Sequence, residues 1–365
     1  MLNTYELSAI LAILISFLVT VILGKFMIPF LHKLKYGQTI LEIGPSWHKN
    51  KQGTPTMGGI MFIISTIIAT VICVPMYYAI SAKNGMYVTE TPFMITKIFA
   101  GLGMAVAYGL VGVIDDLVKI KKKHNAGLTP KQKLILQFGI VGCYFLVLNM
   151  INEINGGAKL TIVNIPFIGN VDFGIFYWVI FGIIVVGIVN AANLTDGIDG
   201  LSASVAFFIA IFCMFITNCL GMFGLGIESA ALAGGCLGFL FWNFHPAKVF
   251  MGDTGSLFLG GMVCAVGLGA GIHIPMIILS FVYILEMFSV ILQVVYFKIS
   301  KGKRLFKMSP IHHHFEMCGW SEAKICVVFS IATIFFGLIS TANNLFFIHS
   351  GLSQFLIFLI CLNAK

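Results

Sequence analysis

The chain has 365 residues, of which 59% are hydrophobic and 10% charged, and its formal net charge is +8; its mean hydropathy is +0.99. Soluble proteins are about 45–50% apolar and about 25% charged, so this chain has too little charge to clothe one or two water-soluble cores. A soluble enzyme, a fibre and a disordered chain are excluded, and long unbroken apolar blocks in place of alternation exclude a lipid-facing β-barrel.

A helix needs roughly 20 apolar residues to cross about 30 Å of hydrocarbon. In chain order such blocks occupy residues 7–30, 57–80, 96–118, 134–152, 174–194, 201–220, 229–244, 256–274, 276–297 and 323–341. They predict an all-α polytopic membrane protein of about ten transmembrane helices, built as a single integral membrane domain. The first block lacks a basic leader and a small-residue cleavage site, so it is expected to be a retained helix. The connection 153–173 carries Leu160-Thr161-Ile162-Val163, then Ile165, Pro166 and Gly169, the pattern of a short β-hairpin. The tail 342–365 is apolar but interrupted by His349, Ser350 and Gly351, and is expected to lie at the interface rather than to form an eleventh span. Nine cysteines, nearly all within apolar runs and never spaced as CxxC, suggest neither a disulfide framework nor a zinc site.

Lysine orients the spans, because cytoplasmic loops carry the Lys/Arg excess. One set of connections holds Lys33, Lys35, Lys49, Lys51, Lys119, Lys121, Lys122, Lys123, Lys131, Lys133, Lys248 and the run from Lys298 to Lys307; the other holds Lys83, Lys97 and Lys159. The N-terminus and the hairpin are therefore expected outside. The basic face suits topology and anionic lipid, and no basic, aromatic soluble module is present to engage a nucleic acid.

Five of the six aspartates fall at that lysine-rich face. A carboxylate at mid-helix costs roughly 2.5–3.5 kcal/mol on insertion scales, so acids kept beside hydrocarbon are usually functional or paired. Asp115-Asp116 ends the third span, followed by Lys119. Adjacent helical side chains diverge by about 100°, so one carboxylate can face a metal while the other holds a lysine or a second ligand. Asn190, Asn193, Asp196, Gly197, Asp199 and Gly200 share the short turn between spans five and six; a plain turn would also use Asp and Gly, but two amides beside two acids favour a ligand. Gly252-Asp253-Thr254-Gly255-Ser256 opens the eighth span, where helix-start N–H groups can bind phosphate and the acid a bridging metal; a plain N-cap is the competing account. His312-His313-His314 stand too close together for a preformed three-ligand metal site, while one or two of them can meet phosphates or a nucleotide. Glu286 interrupts the ninth block, marking either a proton or ion path or a break in the helix.

The set Gly53-Thr54-Pro55-Thr56-Met57-Gly58-Gly59, Asp115-Asp116-Leu117-Val118-Lys119, Asn193-Leu194-Thr195-Asp196-Gly197-Ile198-Asp199-Gly200, Gly252-Asp253-Thr254-Gly255-Ser256 and Pro310-Ile311-His312-His313-His314-Phe315-Glu316 closely resembles the bacterial phospho-N-acetylmuramoyl-pentapeptide-transferases, a branch of the polyprenyl-phosphate N-acetylhexosamine-1-phosphate transferases. The resemblance spans nearly the whole chain in order. It implies a ten-helix homodimer of the bacterial inner membrane with a cytoplasmic site using Mg²⁺. It implies transfer of phospho-N-acetylmuramoyl-pentapeptide from its UDP-linked donor to undecaprenyl phosphate, giving lipid I and UMP for peptidoglycan. On matching positions, Asp253 is implied as the Mg²⁺ ligand, Asp115 and Asp116 as the catalytic acid pair, and His312 as the essential histidine. Lys51, Thr56, Asn193, Asp196, Gly197, Ile198, Asp199, Asn243, Phe250 and His313 are implied as the nucleoside pocket, and Lys119 and Lys131 as phosphate contacts. A sister transferase using UDP-N-acetylglucosamine is the nearest rival; a secondary transporter of an anionic solute is another, and would place charges at the bilayer midplane. A lipid acceptor needs lateral access, so the ninth span, with Pro275 before it and Glu286 within it, is expected to be bent.

Overall fold

The computed structural model describes residues 3–34, 51–84, 92–122, 127–154 and 159–363, with side chains to residue 344. Each of the ten apolar blocks becomes helix. In chain order these are α1 (Thr4–Lys33), α2 (Gly59–Lys83), α3 (Pro92–Lys122), α4 (Pro130–Ile154), α5 (Phe176–Thr195), α6 (Leu201–Cys219), α7 (Phe223–Asn243) and α8 (Gly252–Gly269), then α9 (His273–Leu279), α10 (Phe281–Ile299), α11 (Ile311–Glu316) and α12 (Glu322–Asn363). Nine of the described helices have the length and composition to cross a membrane.

The remaining long helix, α8, is buried from Thr254 to Gly269 and is wrapped by α2, α3, α5, α6, α7 and α9. A helix surrounded on all sides by other helices needs small residues for close approach, which its glycines supply. At Gly112 on α3 an added Cβ would run into the Asp253 carbonyl, so glycine there lets α3 lie against the first turn of α8. Large apolar side chains such as Leu18 and Phe26 on α1, Leu146 on α4, Val179 on α5 and Phe288 and Leu292 on α10 face outward, as a lipid-bathed surface requires.

The hairpin forms as expected between β1 (Ile162–Ile165) and β2 (Gly169–Asp172), with Ile162 opposite Asp172. It stands at the opposite end of the bundle from the other five aspartates. The ninth block is broken at Ser280, between α9 and α10. Pro275 sits in the first turn of α9, where a missing N–H breaks no helical bond. The tail forms no separate element: the backbone of α12 continues as helix from Thr341 through Gly351 to Asn363. Among the described residues all eight cysteines are free.

Candidate active site

The site lies where α3 ends, α4 and α8 begin and α5 gives way to the 196–200 turn. Asp116 of α3 accepts hydrogen bonds from the N–H groups of Asp253 at 3.3 Å and Thr254 at 3.0 Å, and from the Thr254 hydroxyl at 2.8 Å. It thereby caps the open N-terminus of α8 from another helix, satisfying otherwise orphaned donors and placing negative charge at the positive end of the helix dipole. Gly252 makes the preceding turn at φ +70°; a methyl there would meet Asp116 Oδ2 at 2.6 Å and Thr56 Oγ1 at 2.7 Å. Pro55 and Gly58 exchange backbone hydrogen bonds with Phe250 at 2.8 Å, and this latch brings Thr56 to the site.

Asp115, one helical step from Asp116, accepts the Leu128 N–H at 2.8 Å and pairs with Lys119 Nζ at 2.7 Å. The same ammonium lies 3.0 Å from Asp253 Oδ2 and 3.9 Å from Asp116 Oδ1. Lys133 of α4 reaches Asp253 Oδ2 at 2.7 Å, and Asn193 donates to Asp253 Oδ1 at 2.9 Å and to Ser256 at 2.8 Å. Asp115, Asp116 and Asp253 each offer a carboxylate oxygen within 4.8 Å of the others, a set able to hold a metal ion. Nearby Asp196 keeps some solvent contact, yet desolvation, and then the negative charge of Asp253, Asp116 and Asp199, hold its carboxyl well above the usual range. The cleft thus carries more negative charge than Lys119 and Lys133 balance, and its hard oxygen donors suit Mg²⁺ chemically.

Beside this cleft a cavity of about 400 Å³ is lined by Lys51, Thr54, Asp199, His245, Trp320 and Glu322, a size suited to a small-molecule ligand. Lys51 bridges Asp199 at 2.7 Å and Glu322 at 2.6 Å. Glu322 also accepts the Asp199 N–H at 2.8 Å, while Asp199 Oδ2 accepts from Ala247 N at 3.0 Å and lies 3.0 Å from His245 Nδ1. Ile198 is buried beneath this turn. Asn243 clamps it, accepting the Gly200 N–H at 3.0 Å and donating to the Val249 carbonyl at 2.8 Å.

The three histidines divide their work. His312 is fully buried with Nδ1 3.0 Å from Glu286 Oε2; His313 pairs with Glu316 at 2.5 Å; His314 Nδ1 accepts the Lys307 N–H at 3.1 Å. An added Cβ on Gly197 would collide with His312 Nε2, so the triplet meets the 196–200 turn through its first member.

The structure therefore gathers Lys119, Asp115, Asp116, Asn193, Asp196 and Asp253 in one cleft, and Lys51 and Asp199 in the neighbouring cavity. Lys131 stands exposed at the start of α4. Asn190 turns away from the cleft, donating to Gln137 at 2.7 Å. Lys133, Glu322 and the hydroxyl of Thr254 are site residues that sequence reasoning did not single out. Lys133 was visible as one of two lysines opening α4; Glu322, 123 residues from Asp199, left no local signal.

A family model described as glycosyl transferase family 4 matches residues 98–271. A second, described as phospho-N-acetylmuramoyl-pentapeptide-transferase signature 1, matches residues 51–63, the segment carrying Lys51 and Thr56. Relatives named phospho-N-acetylmuramoyl-pentapeptide-transferase include that of Clostridium perfringens (strain 13 / Type A), 45% identical over 92% of this chain and 98% of the relative. Those of Bacillus subtilis (strain 168) and Halalkalibacterium halodurans are 43% identical over 87% and 92%, and 41% identical over 91% and 96%, of the two chains respectively.

Proposed function

Because the chain belongs to the phospho-N-acetylmuramoyl-pentapeptide-transferase family, we propose that it transfers phospho-N-acetylmuramoyl-pentapeptide from its UDP-linked donor to undecaprenyl phosphate, releasing UMP and forming lipid I. The observation that carries this reading is the convergence of Asp115, Asp116 and Asp253 with Lys119 and Lys133 at one end of a membrane-spanning bundle. Two phosphate-bearing substrates repel each other, so their reaction needs a site that neutralises charge and holds attacking and leaving oxygens in line.

Asp253, with Asp115 and Asp116, would hold Mg²⁺, which supplies charge neutralisation to the pyrophosphate oxygens. Lys119 and Lys133 engage phosphate oxygens, and Lys131 meets the donor from the rim. Lys51, Asp199, Ile198, Gly197 and Phe250 form the nucleoside side of the site, with Thr56, Asn193, Asp196, Asn243 and His313 around it. A phosphate monoester has a second pKa near 6, so the lipid phosphate is largely dianionic at pH 7 and needs no strong base. One of its oxygens attacks the β-phosphorus of the donor; the new P–O bond forms as the bond to the bridging oxygen breaks, and UMP leaves with that oxygen. Asp115 orients the acceptor, and His312 contacts the phosphates.

The lysine-rich end of the bundle supports a cytoplasmic-facing site in the bacterial inner membrane. The break at Ser280 and the outward apolar face of α10 support lateral entry of the isoprenoid chain from the bilayer. A homodimer is part of the proposal, read by the mass of the detergent-solubilised protein. Donor competition tests the substrate: UDP-N-acetylmuramoyl-pentapeptide is expected to displace UDP-N-acetylglucosamine completely, and turnover of the latter alone would move the chain to the sister activity.

A further inference from the structure

The inward face of α10 carries three buried polar residues, Glu286, Ser289 and Gln293, spaced to share one helical face. Its outward face is apolar and exposed at Phe288, Leu292 and Val295. Gln293 Oε1 accepts the N–H groups of Leu305 at 3.1 Å and Phe306 at 2.8 Å, and its Nε2 donates to the Phe306 carbonyl at 3.2 Å. The amide thus ties down the segment leading to α11. Two turns earlier, Glu286 Oε2 lies 3.0 Å from His312 Nδ1, with both side chains fully buried. Glu286 Oε1 and His312 Nε2 are buried and have no hydrogen-bond partner among the described residues.

A glutamate buried in an apolar helix is an expensive way to fill space, and an apolar pair of equal volume would serve packing at least as well. What a carboxylate does for an imidazole is fix it: accepting Nδ1–H sets the tautomer and the ring orientation, leaving the other nitrogen free for chemistry. Here that other nitrogen abuts Gly197, in the turn that carries Asp196 and Asp199.

We propose that Glu286 is a positioning residue for His312, accepting a hydrogen bond from its Nδ1–H so that Nε2 stays turned toward Gly197 and the pyrophosphate of the donor. This rests on the transferase reading above and on His312 acting within it. Held this way, Nε2 offers a lone pair or, once protonated, an N–H to a phosphate oxygen. The ring cannot turn away without leaving a carboxylate buried and unpaired.

The test is a kinetic cycle on the full-length chain in detergent, following UMP release for Glu286→Ala, Glu286→Gln, Glu286→Asp, His312→Ala and the double variant Glu286→Gln/His312→Ala, with a thermal melt of each. Glu286→Ala is expected to lower kcat about 10–100-fold, the usual effect of removing an orienting partner, with the donor KM changed less than about threefold. Glu286→Asp is expected to restore part of the loss. Glu286→Gln is expected to add no further loss once His312 is alanine, since residues acting as a unit are not additive. Wild-type kcat in folded Glu286→Ala beside an inactive His312→Ala would overturn the positioning role. So would losses that multiply in the double variant, or a lowered melting temperature with kcat intact. If Glu286→Ala or Glu286→Gln does not fold, Glu286→Asp and its double variant with His312→Ala carry the same comparison. Full activity in His312→Ala would instead remove His312 from the transferase reading, and the inference with it.

Discussion

Lys133 Nζ lies 2.7 Å from Asp253 Oδ2, across 120 residues of sequence. The pair joins the start of α4 to the start of α8 and is largely shielded from solvent, so it is worth more than a surface ion pair. Lys133→Met is expected to lower kcat/KM by about 10–100-fold, the size of a lost charge-assisted hydrogen bond. Lys131→Met, exposed on the same helix turn and meeting the donor only from the rim, is expected to cost less. Parallel steady-state kinetics on the two variants check the contrast, and equal losses would contradict it.

Gly112 sets the distance between the Asp115-Asp116 pair and Asp253, because a methyl group there meets the backbone of α8. Backbone cannot rotate aside as a side chain can, so Gly112→Ala is expected to force the two helices apart at a cost of about 1–3 kcal/mol, with activity falling further than the melting temperature. Gly103, on the same helix, has open space around its Cβ position. Gly103→Ala is expected to leave both activity and melting temperature unchanged or slightly raised.

The chain announces its site through acids that an apolar sequence has no other reason to keep, and these are the residues the structure brings together: Asp115, Asp116, Asp196 and Asp253. What it hides is phase and distance. Lys131 and Lys133 are two residues apart on a helix and cannot share a face; nothing local says which one turns to the site. Asn190 and Asn193 do share a face by spacing, yet Asn190 is taken by Gln137, a partner set by how α4 packs on α5. Hydropathy places the start of α7 at Ser229, whereas the helix begins at Phe223 with Glu228 buried inside it; a single carboxylate masked one and a half turns of helix. Gly351 reads as a stop, but a glycine within a helix costs about 1 kcal/mol, and α12 passes through it.

Glu322 holds Lys51 and the Asp199 backbone at once, so it braces the cavity that the proposed function gives to the nucleoside. Glu322→Gln is expected to raise the donor KM about tenfold with kcat changed less than about threefold, because one charge-assisted contact to Lys51 is lost. A change confined to kcat would place Glu322 in the chemical step instead.

Direct attack leaves no covalent intermediate. Asp116 already accepts three hydrogen bonds from Asp253 and Thr254, and Asp115 is held by Lys119 and Leu128, which favours orientation of the acceptor over attack by either carboxylate. Incubation with β-³²P-labelled donor in the absence of lipid acceptor, followed by acid quenching, is expected to leave no label on the protein. A labelled aspartate would establish the two-step route.

The transferase reading is tested by UMP release from the purified protein given UDP-N-acetylmuramoyl-pentapeptide, undecaprenyl phosphate and Mg²⁺, with Asp253→Ala and a chelator run in parallel. The expected result is UMP release that requires the lipid, is lost in Asp253→Ala, and is lost with the chelator and restored by excess Mg²⁺. Release that persists in folded Asp253→Ala protein, or no release from the unaltered folded chain, would contradict the account.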